Sequence, residues 1–198
     1  MGQEQVVLFH SVLGLRPAVH DFADRLRAEG HTVHTPDSFD GEVFESIEDG
    51  TRRRDEIGIS ELMNRAQAAV ADLRPELVFA GFSMGTGAAE SLAGTRPGAR
   101  GAILMHGALD PAGIGLEAWP LVPVQVHYAQ GDPLVDPTDV RALETAARAS
   151  GAAVEVHAYD RVGHLFEDPS LAAHDAAAAG LMLERVLAFL RGLGTGSR

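Results

Sequence analysis

The chain has 198 residues, 45% hydrophobic and 22% charged, a composition expected of one globular domain that buries a core without covalent staples. Its formal net charge of -12 argues against a nucleic-acid partner, because binding phosphate needs a basic face. There is no cysteine, and all 16 basic residues are arginine; this excludes disulfides, thiolate nucleophiles, Schiff-base chemistry and a lysine-bearing phosphate loop.

The N-terminal MGQEQVVLFH has no basic segment ahead of a long apolar stretch, so no signal peptide is expected. No apolar run approaches the roughly 20 residues that cross a bilayer. A cytoplasmic location without membrane attachment is the expectation. In chain order, strands are expected at Gln5 to Phe9, His31 to Thr35, Glu76 to Ala80, Gly101 to Met105, Val124 to Ala129 and Val154 to Tyr159.

Between the strands lie amphipathic segments. Val19, Phe22, Ala23 and Leu26 form an apolar stripe that ends at Gly30, a C-cap residue. Further helices are expected at Ile57 to Leu73, Met84 to Ala93, Pro137 to Ser150 and about His174 to Arg191. The run Arg52-Arg53-Arg54, flanked by Glu48, Asp49, Asp55 and Glu56, reads as a solvated patch. The glycine-rich end is expected to fray over about residues 192–198.

Strands alternating with helices imply a mainly parallel sheet covered on both faces, an α/β fold in a single domain over residues 1–198. In such sheets ligands sit beyond the carboxyl ends of the strands. Site residues should therefore follow strand ends.

The stretch LVFAGFSMGTGAAESL, residues 77–92, reads as strand, glycine turn and helix. A dinucleotide fingerprint fails because Glu90 stands where its third glycine belongs. The nucleophile-elbow pattern G-x-S-x-G is matched in full by Gly81-Phe82-Ser83-Met84-Gly85. Residues two positions either side of the nucleophile must lack side chains for the turn to close. Ser83 would then stand above the sheet, with the Met84 N–H at a helix N-terminus facing developing negative charge. The alternative is that the two glycines serve only close helix–strand packing, with Ser83 as a cap.

A serine nucleophile needs a base, and the base needs an acid to fix its tautomer. After the fifth strand, QGDPLVDP places Asp132 in a tight turn; after the sixth, YDRVGHLFED places His164. Both follow strand ends, in the order Ser, Asp, His. Asp136, Asp139 and Asp160 also lie near strand ends, but Asp136 suits capping of the helix that starts at Pro137. His10 and His106 follow strand ends and are placed to line the cleft, whereas His20, His31, His34, His157 and His174 fall on elements or near a helix start. No histidine pair has zinc-site spacing, and neither metal nor cofactor is expected.

Along VVLFHSVLGL, GFSMG, QGDPLVDP and VGHLF the chain resembles the dienelactone hydrolase family of the α/β-hydrolases. The resemblance covers nearly the whole length. It implies a compact fold of about six mainly parallel strands without a large lid, with Ser83, Asp132 and His164 as nucleophile, acid and base. It also implies a second oxyanion donor, the Val12 N–H, in the loop HSVLG. Dienelactone hydrolases proper carry cysteine at the position of Ser83 and glutamate at that of Ser11. Their arginine just after the histidine is replaced here by Glu167 and Asp168.

A serine esterase on that scaffold is therefore expected, acting on a small ester, thioester or lactone as a monomer or homodimer. The same fold could serve a weakly active binding protein, and the same triad an acyltransferase. No long insertion follows the fourth strand, so the cleft is expected to be shallow and open. Trp119, Phe39 and Phe166 are candidates for lining it or for the core, Ser11 lies beside it, and acidic Glu167 and Asp168 would repel anions if they faced it.

Overall fold

A computed structural model describes residues 3–195. In chain order the elements are β1 (Gln5–Phe9), α1 (Pro17–Ala28), β2 (Thr32–His34), α2 (Ile47–Ile57), α3 (Ile59–Val70), β3 (Val78–Phe82), α4 (Met84–Thr95) and β4 (Gly101–Met105). A short 3-10 helix (Pro111–Ile114) precedes β5 (Val124–Ala129), α5 (Pro137–Ser150), β6 (Val154–Tyr159) and α6 (Ala176–Thr195).

The six strands form one parallel sheet in the order β2-β1-β3-β4-β5-β6. Alternation along β1 explains the two-sided core. Val6 and Leu8 join the layer containing α1 and α6, while Val7 and Phe9 join that of α3, α4 and α5. The chain leaves β1 for the edge strand β2, then returns to place β3 on the other side of β1. That reversal sets the loops after β1 and β3 side by side, where such sheets bind ligands.

The expected strand at Glu76 to Ala80 is displaced toward the C-terminus. Leu77 bonds back to Pro75, and the ladder runs on through Gly81 and Phe82 to the residue before Ser83. The helix expected at Ile57 to Leu73 is α3, which starts after Gly58 and ends at Val70; α2, which runs up to Gly58, lies ahead of it and was not expected. Helix α2 lacks an apolar stripe, and Gly50 is its only buried residue. An N-cap starts it instead: Ser46 Oγ accepts the Asp49 N–H at 3.1 Å and donates to Asp49 Oδ2 at 2.7 Å.

The expected fraying from 192 does not begin there, since α6 runs to Thr195; residues 196–198 lie outside the described residues. Among the described residues no helix is long and apolar enough to cross a membrane.

Gly50 seats α2 against the carbonyl of Val12, which a Cβ at that position would strike. Two effects oppose each other in Gly50→Ala. Alanine gains about 1 kcal/mol of helix propensity, whereas a clash with backbone cannot be relieved by turning a side chain. The clash should win, lowering the thermal midpoint of unfolding. A midpoint equal to or above the wild type would contradict this seating.

Candidate active site

The turn after β3 is built by close backbone approach. A Cβ on Gly81 would overlap the Gly85 carbonyl, and one on Gly85 would come within 2.5 Å of the Phe9 carbonyl oxygen. Because both residues lack a side chain, α4 starts directly against β1 and β3. Ser83 holds the turn with φ 49° and ψ -111°, a conformation a residue with a Cβ rarely adopts. Its N–H bonds the Met105 carbonyl at 2.7 Å, and its carbonyl accepts the N–H and hydroxyl of Thr86.

From this turn Ser83 Oγ lies 2.8 Å from His164 Nε2, and His164 Nδ1 lies 2.6 Å from Asp132 Oδ2. Asp132 is fixed in turn, its Oδ1 accepting the Leu134 N–H at 2.9 Å. Its buried carboxylate selects the tautomer with the proton on Nδ1, leaving Nε2 free to accept from Ser83. Burial, and next the neighbouring His106 ring, hold the His164 imidazole below its ordinary pKa of 6.5, against the pull of Asp132. Asp136 instead caps α5, accepting the Thr138 N–H at 2.8 Å.

Ser83 opens onto a cleft of 440 Å³. One wall is α3, through Ile59, Leu62 and Met63; the opposite wall is Leu109 and Ile114, and α4 forms the floor with Met84, Gly87 and Ala88. Helix α3 therefore flanks the site on one side. Although the chain has 28 acidic residues, among the described residues no carboxylate lines the cleft and Arg54 is the one charged residue that does. The arginine run is thus more than a solvated patch. Arg52 pairs with Asp49 and Arg53 with Glu42, while Arg54 borders the cleft and pairs with Asp55.

A profile of the dienelactone hydrolase family matches residues 2–193. The chain belongs to the dienelactone hydrolase family. Membership places it among hydrolases of the carboxylic ester hydrolase type. A dienelactone hydrolase-like promiscuous phosphotriesterase from metagenomic libraries superposes with a TM-score of 0.79 at 23% identity, over 96% of this chain and 87% of that one. Esterase 2 of Thermogutta terrifontis in its apo form gives 0.70 at 17% identity, over 99% and 85%. A phospholipase/carboxylesterase of Dyadobacter fermentans gives 0.65 at 18% identity, over 94% and 90%. These likenesses show the shared fold. No curated protein sequence matches.

Measured against the resemblance to this family, the remaining candidates divide. His10 lines the cleft; it donates from Nδ1 to the Ser11 carbonyl at 2.7 Å and accepts the Ser38 N–H on Nε2 at 2.9 Å, so it is neutral. Ser11, at the position of the family glutamate, is buried and caps the Leu13 N–H. Trp119, Phe39 and Phe166 take the core alternative, and the placement of His106 on the cleft is corrected. Trp119 is a core residue between α4 and α5, its indole N–H on the Val122 carbonyl. Phe39 lies behind His10, and His106 and Phe166 pack together behind His164. All four are buried behind the cleft rather than lining it. Glu167 and Asp168 do not face the cleft, because Glu167 bonds His106 and Asp168 pairs with Arg16 at 3.3 Å.

One residue escaped the sequence reading. Glu90, the lone acid of the apolar α4, is wholly buried; its Oε2 accepts the N–H of the wall residue Leu109 at 2.9 Å, and its Oε1 has no partner among the described residues. Burial raises its pKa from 4.5 to about 8, only partly opposed by that hydrogen bond, with Asp139 and Asp110 adding to the rise. Between these values the folded protein keeps a proton that the unfolded chain releases, so stability falls as pH rises from 4.5 to 8 and levels above. Glu90→Gln should therefore gain on the wild type by an amount on the order of 4 kcal/mol across that window. Denaturant unfolding at pH 5, 6.5 and 8 reads the difference, and parallel stability curves would contradict it.

Proposed function

We propose that the chain hydrolyses small esters, thioesters or lactones with an apolar acyl part, through an acyl-enzyme on Ser83. The observation that carries this reading is the continuous hydrogen-bond chain that runs from Ser83, on a cleft whose described lining holds no carboxylate, back through His164 to Asp132. The esterases among the structural neighbours support the same chemistry.

In this reading Ser83 Oγ attacks the acyl carbon as His164 Nε2 takes its proton. The resulting imidazolium is held by Asp132, which stays ionised. The oxyanion meets the N–H groups of Met84 and Val12. Met84 opens α4 and has no carbonyl one turn earlier to bond, and the Val12 N–H has no acceptor among the described residues. Each donor of this kind lowers a barrier by about 3–4 kcal/mol.

Collapse of the tetrahedral adduct breaks the bond to the leaving alkoxide or thiolate, which takes the proton back from His164. Water, deprotonated by His164, then attacks the acyl-enzyme, and collapse releases the carboxylic acid and restores Ser83. Leu62, Met63, Leu109 and Ile114 receive the acyl chain, where burial of apolar surface adds about 25 cal/mol per Å².

Ser83→Ala should lower kcat on a p-nitrophenyl acyl ester by roughly 10⁴–10⁶, as in comparable triads. The wild-type kcat/KM should lose activity only as pH falls below about 6.5, because burial holds His164 neutral to lower pH than a free imidazole. Folded Ser83→Ala with wild-type turnover would overturn the mechanism.

A further inference from the structure

The His106 side chain is fully buried, yet it is not part of the cleft lining. Its backbone is anchored where β4 ends, the N–H donating to the His127 carbonyl of β5 at 2.7 Å. Its ring reaches across to the segment that carries His164 and holds it twice. Nδ1 accepts the N–H of Leu165 at 3.2 Å, and Nε2 lies 2.5 Å from Glu167 Oε2.

A ring nitrogen that accepts a backbone N–H carries no proton, so the His106 proton sits on Nε2 and is donated to the Glu167 carboxylate. The two anchors bracket Phe166, whose ring meets the His106 ring edge-on at 4.9 Å. On its other sides the His106 ring stacks against Phe82, the residue before Ser83, at 6.3 Å, and meets the His164 ring at 5.3 Å.

Backbone conformation points to the same place. The described residues include five non-glycine residues with positive φ, and three are Ser83 (49°), His106 (68°) and Leu165 (57°). Such conformations cost about 1–3 kcal/mol each and persist only where the surroundings over-determine them. Here two of them, one beside the base and one two strands away from it, are joined by the hydrogen bond from Leu165 to His106.

Resting on the reading of Ser83 as nucleophile and His164 as base, we propose that His106 and Glu167 are a positioning pair. They tie the loop of the base to the end of β4 and so fix the His164 ring over Ser83. Glu167 has a second effect. The ionisable groups acting on His164 are His106 after β4, Asp132 after β5, and Glu167 on its own loop; His106 pushes its pKa down, and the two carboxylates pull it up. The Glu167 charge thereby favours the imidazolium that forms as Ser83 is deprotonated.

Three variants separate these effects. His106→Phe keeps a ring and removes both hydrogen bonds; His106→Asn keeps an acceptor for the Leu165 N–H; Glu167→Gln keeps an acceptor but removes the charge. With p-nitrophenyl acetate, His106→Phe should lower kcat about 10- to 100-fold with KM within about 2-fold, the usual cost of a misplaced catalytic group. His106→Asn should recover part of that loss. Glu167→Gln should move the acid limb of kcat/KM to lower pH, a shift that a merely structural role would not produce.

Folded His106→Phe and Glu167→Gln proteins with wild-type kcat and pH profile would overturn the pair. Ser83→Ala, assayed alongside, separates the two failures. Activity independent of Ser83 removes the nucleophile reading and the pair with it. Activity that needs Ser83 but ignores His106 and Glu167 removes the pair alone. Nitrogen NMR of the imidazoles in the unliganded wild type tests the geometry without substrate or any folding demand on a variant: His106 should carry its proton on Nε2, and a proton on Nδ1 instead would overturn the proposal.

Discussion

The site depends on one steric constraint, the backbone-to-backbone contact of α4 with β1 and β3. Gly81 and Gly85 allow it, and any side chain there would push the helix off the sheet. Helix contact at that distance forces the connecting residue into a tight turn, and Ser83 takes it in a left-handed conformation. The strain is offset by the surroundings, including the Met105 carbonyl and the paired bonds from Thr86. What results is a hydroxyl held above the carboxyl edge of the sheet, next to the first free N–H of a helix. The loops after β4, β5 and β6 then need only reach inward along that edge to meet it.

Electrostatics complete what the turn begins. A chain of net charge -12 keeps carboxylates off its cleft by engaging them behind it. Asp132 is used by His164, Glu167 by His106, and Asp168 by Arg16. Glu90, behind the Leu109 wall, is neutralised by burial. The apolar walls and the absence of fixed negative charge suit the reading in which the site accumulates negative charge on an oxyanion during reaction. Burial lowers the pKa of both His10, which bridges the Ser11 carbonyl and the Ser38 N–H, and His164, which is bonded to Ser83.

Much of this was legible in the sequence, for physical reasons that can be named. The strands of the sheet are short runs of β-branched and apolar residues, and α1 and α5 carry apolar stripes with Pro at their starts. The elbow was legible because its steric demand is local and only glycine meets it. The candidates Asp132 and His164 came from the rule that sites collect at strand ends, together with the chain order Ser, Asp, His that accompanies a nucleophile elbow. Helix α2 was not legible, because it rests on a serine N-cap, ion pairs and one glycine contact rather than on apolar periodicity. Nor could composition separate cleft walls from core: Trp119, Phe39 and Phe166 are as apolar as Leu109 or Met63, and only tertiary packing decides between them. The pairing of His106 with Glu167 joins residues 61 apart in sequence and leaves no local trace.

The central claim is that Ser83 is an activated nucleophile whose reactivity comes from His164. Reaction with a fluorophosphonate probe, followed by peptide mapping of wild type and His164→Ala, tests it most directly, since the probe reports nucleophilicity without knowledge of the substrate. The account predicts a single adduct on Ser83 in the wild type and its loss in folded His164→Ala. A folded wild-type protein that takes no adduct, or labelling that persists without His164, would contradict it.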